Sequence, residues 1–254
     1  SKTFINQVSE DIATLNGRVD GLEARQNNFE AGSFTDTTVM DGKAHMWIGA
    51  VDGGDTIGGA ETTQTGYTYT MNLNSSFTGD DNLYVRLKGG ANGGQWSNKQ
   101  TYHIETKHTS DAFKVDKIWY TFPVGDNITA FVGPRIENYY MYAATPSIYR
   151  PGAQKAFKLG GNSAVFGAST ATGVGVKYQV EDSPWAFSTN VVSKGARGSA
   201  NGFLSDGDTS KWDTMFAYTK PQWHASVTVS SQHNGWNSFS YYATTQAADI
   251  SNVA

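Results

Sequence analysis

The chain has 254 residues, a net charge of −4, only 17% charged residues and no cysteine. These values exclude a disulfide scaffold, a thiolate metal site and a cysteine nucleophile, and the lack of a basic stripe argues against nucleic acid as a partner. With 28 Gly, 13 Tyr, 13 Phe and 7 Trp the composition points to a β-rich protein with many turns, and it holds no apolar run long enough for a transmembrane helix.

The first predicted element is a coiled coil within a stalk of residues 1–31. Its apolar seam falls at Ile5, Val8, Ile12, Leu15, Val19, Leu22 and Phe29, a 4-3 rhythm interrupted by Gln26. Arg18 and Glu23 stand five apart, as do Arg25 and Glu30, the spacing that links neighbouring parallel helices. So short a seam needs partner chains in water. Ile and Val alternating with Leu leans toward two strands. Arg18-Val19-Asp20-Gly21-Leu22-Glu23, however, resembles a short trimerisation motif. The reading favours a homotrimer, with Ile5, Val8, Ile12, Leu15, Arg18, Val19, Leu22 and Glu23 as its contacts. The competing reading is an ordinary amphipathic surface helix.

A hinge at 32–36 leads into a β-region over 37–254. The clearest strand is 67–74, where Tyr67, Tyr69, Met71 and Leu73 alternate with Thr68, Thr70, Asn72 and Asn74. The same period of two marks 83–88, 173–180 and 223–230. Less regular strands are expected near 38–50, 113–124, 128–135, 185–193, 212–219 and 238–246, about ten in all. Short turns (78–82, 125–127, 181–184 and 220–222) alternate with long loops (51–64, 89–112, 136–171 and 194–211). That alternation predicts an all-β fold, an antiparallel up-and-down transmembrane β-barrel or part of one, preceded by the coiled coil. The mean hydropathy of −0.45 is compatible with this, because alternate residues of such strands face water.

A soluble sandwich would turn the apolar faces inward; a membrane barrel would turn them to lipid. Three features favour the barrel. The polar faces carry Thr, Asn, Ser, His and Gln. The long loops lie on one side. Aromatics sit at strand ends (Tyr67, Tyr69, Trp119, Tyr120, Phe122, Trp185, Trp212, Tyr218 and Trp223), as an interfacial girdle would place them.

The runs Val19–Arg25, Thr37–Ala44 and Phe113–Asp126 resemble the cyanobacterial outer-membrane porins. The resemblance implies a trimer that passes small solutes, built from a wall-binding domain, a coiled coil and a barrel similar to carbohydrate-selective porins. Some members are labelled iron-uptake porins. The wall-binding domain is not among these residues, and the chain closes on Ser251-Asn252-Val253-Ala254 rather than on an aromatic strand. Family barrels are longer, so part of a barrel is expected here.

No catalytic residue, metal site or cofactor is predicted. His103 and His108 flank Glu105 with weak metal spacing, and 103 and 108 fall on opposite strand faces. The Gly-rich 89–94 lacks the Lys-Ser/Thr and helix of a phosphate loop. Asp52, Asp55, Asp206 and Asp208 lie in Gly-containing loops without a full calcium-binding pattern. The sharper expectation is a pore constriction at the third long loop, formed by Arg86, Lys88, Arg135, Glu137, Arg150 and Lys155, with Lys158, Lys177, Asn138, Tyr139 and Tyr140 nearby. Its cation excess predicts an anion preference. The expected function is passive diffusion of small hydrophilic solutes or inorganic ions across the outer membrane, with the stalk in the periplasm and lipid around the barrel. The alternative is a trimeric surface fibre or adhesin with a soluble β-rich head.

Overall fold

The computed structural model describes residues 7–8, 12–21, 33–35, 37–50, 62–91, 104–144, 170–197, 202–221, 223–234 and 236. The fold is all-β. Ten strands form one antiparallel sheet in chain order: β1 (Ser33–Thr35), β2 (Thr38–Gly49), β3 (Gln64–Ser75), β4 (Asn82–Ala91), β5 (Lys114–Val124), β6 (Ile128–Glu137), β7 (Thr170–Gln179), β8 (Trp185–Ser193), β9 (Ser210–Lys220) and β10 (Trp223–His233). Each pairs only with its neighbours, the up-and-down topology expected from short turns alternating with long loops. The strand expected at 238–246 lies outside the described residues.

Two expectations are corrected. Part of the hinge at 32–36 is β1, which pairs with β2 through Ser33↔Val39 and Thr35↔Thr38; an extended segment beside a free strand edge completes its backbone hydrogen bonds there. And among the described residues the sheet stays open, with β1 and β10 as its two edges rather than a closed seam.

The helix covers 12–21 as well as residues 7 and 8. Val8, Ile12, Leu15 and Val19 are 39%, 52%, 56% and 48% exposed in the single chain. Ile5, Leu22, Glu23 and Phe29 lie outside the described residues. Arg18 is exposed.

One face of the sheet exposes apolar side chains, while the other buries polar ones beside apolar residues such as Trp119, Ile136, Val192 and Met215. Continuous registers carry rows of side chains across β6–β10. One row is Ile128, Tyr178, Phe187, Phe216 and Val227, and Phe216 and Val227 are 60% and 52% exposed. A row on the other face is Phe131, Gly175, Asn190, Asp213 and Ser230, where Asn190 and Asp213 are 2% and 0% exposed. In β3 and β10 likewise Thr68, Thr70, Ser226 and Thr228 are buried, while Tyr67, Tyr69, Val227 and Val229 are exposed.

Aromatic pairs gather at both ends of the exposed face. Near the short turns Trp185 meets Tyr218 with ring centroids 4.7 Å apart, and Tyr120 stacks on Phe122 at 5.4 Å. Near the long loops Tyr69 meets Phe113 at 5.6 Å. Trp119 departs from the expected girdle: it is 6% exposed and lies on the polar face. Consecutive strand residues point to opposite faces, so Trp119 and Tyr120 cannot share one.

Asp81 organises the turn between β3 and β4. Its Oδ1 accepts from Ser76 Oγ (2.8 Å), Phe77 N (2.9 Å), Thr78 N (2.7 Å) and Thr78 Oγ1 (2.8 Å), and its Oδ2 from Tyr120 Oη (2.7 Å). Burial opposes the charge, but the bonds from Tyr120, Thr78 and Ser76 outweigh it and hold the carboxyl well below the usual range. A depressed folded-state pKa stabilises the fold above the unfolded carboxyl pKa of about 4, and the contribution is lost as pH falls toward the folded value. Thermal melts are therefore expected to show wild type above Asp81→Asn near pH 7, with the gap narrowing toward about pH 3. A gap independent of pH would rule out the charge as the cause.

Candidate functional site

The polar face carries the chemistry, and it is covered by chain that leaves the sheet. At the end of β6 the register slips between Gly133 and Ile136, around Pro134, which has no N–H to offer the ladder. The chain then enters a 3-10 turn, Asn138–Met141, and lies on β7–β9. Tyr142 Oη donates to Asp213 Oδ2 (2.6 Å), Asn138 Nδ2 to the same oxygen (3.3 Å) and Ala143 N to Ser188 Oγ (2.8 Å). Met141 is fully buried and lies over Gly175, where an added Cβ would fall 2.8 Å from its sulfur. Glycine at 175 is what lets the loop approach so closely.

Beside this turn the face is aromatic. Tyr84, Trp119 and Tyr140 follow one another with centroid separations of 4.2 and 4.8 Å, and Tyr139 stacks on Tyr140 at 4.6 Å. Burial pushes the Tyr139 and Tyr142 phenols up, and the Glu137 and Asp213 carboxylates add to the effect. Both therefore stay neutral hydrogen-bond donors at ordinary pH.

Charges complete the lining. Lys117 pairs with Glu137, and with Asp116 at 3.8 Å. Glu105 faces two lysines, Lys88 and, at 3.8 Å, Lys43. Lys211 pairs with Asp213 at 3.2 Å, both fully buried. Arg86 donates from Nε to Asn72 Oδ1 (2.9 Å) and lies 5.4 Å from the Tyr84 ring centroid. Asn72 and Asn74 in turn donate to Asp41 at 2.5 and 3.2 Å. Asp116 owes its position to a bulge, since Arg86 pairs with Lys117 but Leu87 with Val115.

Of the residues expected at a constriction, Arg86 and Glu137 come together around Lys117 and Tyr140. Lys88 stands on the same face but is tied to Glu105. Arg135 does not join them: it opposes Ile118 and donates from Nε to the Asp116 carbonyl at 3.3 Å. The bulge at 133–136 takes it out of the polar rows. Arg150 and Lys155 lie outside the described residues, as do Lys158, His103, Asp52 and Asp55. Asp208 is spent on structure, accepting from the Gly195 and Leu204 N–H groups at 2.8 and 3.0 Å. Among the described residues no cluster of His, Asp and Glu is suited to a metal ion.

Sequence reasoning missed Lys117, Glu105, Lys211, Asp213, Trp119 and Trp236 on this face. For Lys211 and Asp213 a signal existed: two charges two apart inside a strand share a face. Trp236 is fully buried, with Lys194 Nζ 4.3 Å from its ring centroid; nothing local in the sequence brings those two together.

No protein-family model matches the chain. Over 132 residues it is 31% identical to the uncharacterized protein alr4550 of Nostoc sp. (strain PCC 7120 / SAG 25.82 / UTEX 2576), a stretch covering 47% of this chain and 23% of that protein. Over 137 residues it is 30% identical to the uncharacterized protein sll0772 of Synechocystis sp. (strain PCC 6803), covering 52% of this chain and 25% of that protein. The chain thus spans about a quarter of the length of the curated relatives it matches.

Proposed function

We propose that this chain is part of an outer-membrane porin, a trimer whose transmembrane β-barrel passes small hydrophilic solutes and ions by diffusion. The N-terminal helix is its periplasmic coiled-coil stalk, and no catalysis is involved. The observation that carries this reading is the contrast between the two faces of the sheet. The row through Tyr178, Phe187, Phe216 and Val227 faces away from the protein, and Asn190 and Asp213, paired on the other face, are buried. A soluble sandwich buries the first kind of row and wets the second; a barrel in lipid does the reverse.

Other features support it. Aromatic pairs flank the exposed face at both ends, where membrane interfaces would lie. The Thr68 and Thr70 hydroxyls and both polar atoms of the Asn190 amide are buried without a hydrogen-bond partner among the described residues, and groups of that kind need water beside them. The described start of the third long loop, 138–144, turns onto the polar face, as a constriction loop would. The four seam residues exposed on the helix would be covered by sister helices. Both relatives come from cyanobacteria, in keeping with the family the sequence resembles.

The test is extraction followed by conductance. The chain, within its full-length protein, is expected to require detergent, to migrate as a heat-modifiable trimer and to give stepwise conductance in a planar bilayer. A protein that dissolves in buffer and gives no steps would support the soluble fibre head instead.

A further inference from the structure

Resting on the porin reading, we infer that the channel prefers small inorganic anions and that Arg86 and Lys177 set this preference. Most charges on the polar face cancel locally. Lys117 is offset by Glu137 and Asp116, Lys107 by Asp116 at 3.3 Å, and Lys211 by Asp213. Lys43 and Lys88 share one carboxylate, Glu105, so that cluster keeps a positive charge, but Glu105 lies between the two cations.

Arg86 is different. Its direct partners are neutral, the Asn72 amide oxygen, the Tyr84 ring and the Tyr140 phenol; among the described residues no carboxylate lies within ion-pair distance of it, although Glu137 acts on it from farther off. It stands where β4 and β5 meet the inward-turned loop, opposite Lys117. Lys177 occupies the polar row with Thr129, Ser188 and Met215, three residues before the turn that follows β7. It too has no ion pair among the described residues. The opposing carboxylate is Asp41, which keeps its charge because its donors Asn72 and Asn74 are neutral; it is a single anion against Arg86, Lys177 and the surplus cation of the Lys43–Lys88–Glu105 cluster. Asp80, Asp126, Glu181 and Asp182 lie in exposed turns at the rim, where water and salt screen them within about 10 Å at 0.1 M. A narrow passage feels the nearby uncompensated charges most strongly. The sequence-based expectation is thereby reassigned: Lys88 is largely neutralised and Arg135 lies off the face, while Arg86 stays and Lys177 joins it.

Reversal potentials in a potassium chloride gradient test this. Wild type is expected to favour chloride. Arg86→Gln and Lys177→Gln are each expected to shift the permeability ratio toward potassium, and the pair severalfold. Lys220→Gln, at the exposed turn before β10, is expected to leave it unchanged. Lys177 is only half-buried, so its variant reports even if Arg86→Gln folds poorly. A potassium-preferring wild type, or conducting variants with the wild-type ratio, overturns the inference and leaves the porin standing. A chain that never conducts overturns the porin and the inference with it.

Discussion

Arginine in place of Phe216 is expected to cost about 2–4 kcal/mol of folding stability in a bilayer, the penalty for a cation on the lipid face of a β-barrel near its midplane. Phe216 is the position to use because it lies mid-strand in β9, is 60% exposed and belongs to an apolar row that crosses several strands without a break. Thr219→Arg, near the end of the same strand but on its polar face, is expected to change stability by no more than about 0.5 kcal/mol, since the cation there meets water rather than lipid. Urea titration of the protein refolded into vesicles measures both. In a soluble head the outcome differs in kind: Phe216 would already face water, and arginine there would change stability by no more than about 0.5 kcal/mol. The experiment therefore separates the two readings of the same exposed face.

Releasing the third loop from the sheet is expected to have the largest effect on the channel. Tyr142→Phe combined with Asn138→Ser removes the two loop donors from Asp213 Oδ2 while leaving Lys211 on the same oxygen. Hydrogen bonds to a charged group are worth about 1.5–3 kcal/mol each, so losing two loosens the described segment 138–144 from the sheet. Single-channel conductance is expected to rise and its noise to increase, with trimer formation unchanged. Asp213→Ala is a poorer choice. It strands a fully buried lysine, and breaking such a pair costs about 3–5 kcal/mol, so misfolding would obscure the channel effect. If the double variant conducts like wild type, the segment at 138–144 does not narrow the passage.

Much of the sheet was legible before any coordinates. The alternation at 67–74 and 83–88 falls within β3 and β4, because a period of two is a local property of an extended backbone. The turns were legible for the same reason: Gly125 adopts φ +65 within the short connection between β5 and β6, and glycine takes that conformation without steric cost. The site was only partly legible. Arg86 and Glu137, both named from the sequence, lie together on the polar face beside Lys117. Lys117 was overlooked although it sits on the polar side of β5. Arg135 was misplaced because a bulge shifts the alternation by one residue, and nothing in the residue pattern announces the bulge except the adjacent proline.

The residue order alone established strand period, turn positions, the topology of short and long connections, and a helix ahead of the sheet. All of these follow from interactions within a few residues of chain. It could not say which side of the ribbons is open, because a two-residue period reads the same whichever face is packed. Folding resolves that by bringing distant segments onto one side: Tyr142 reaches Asp213 and Glu105 reaches Lys88. Such contacts depend on the register of many strand pairs and on where bulges interrupt them, and a register is the outcome of the whole sheet.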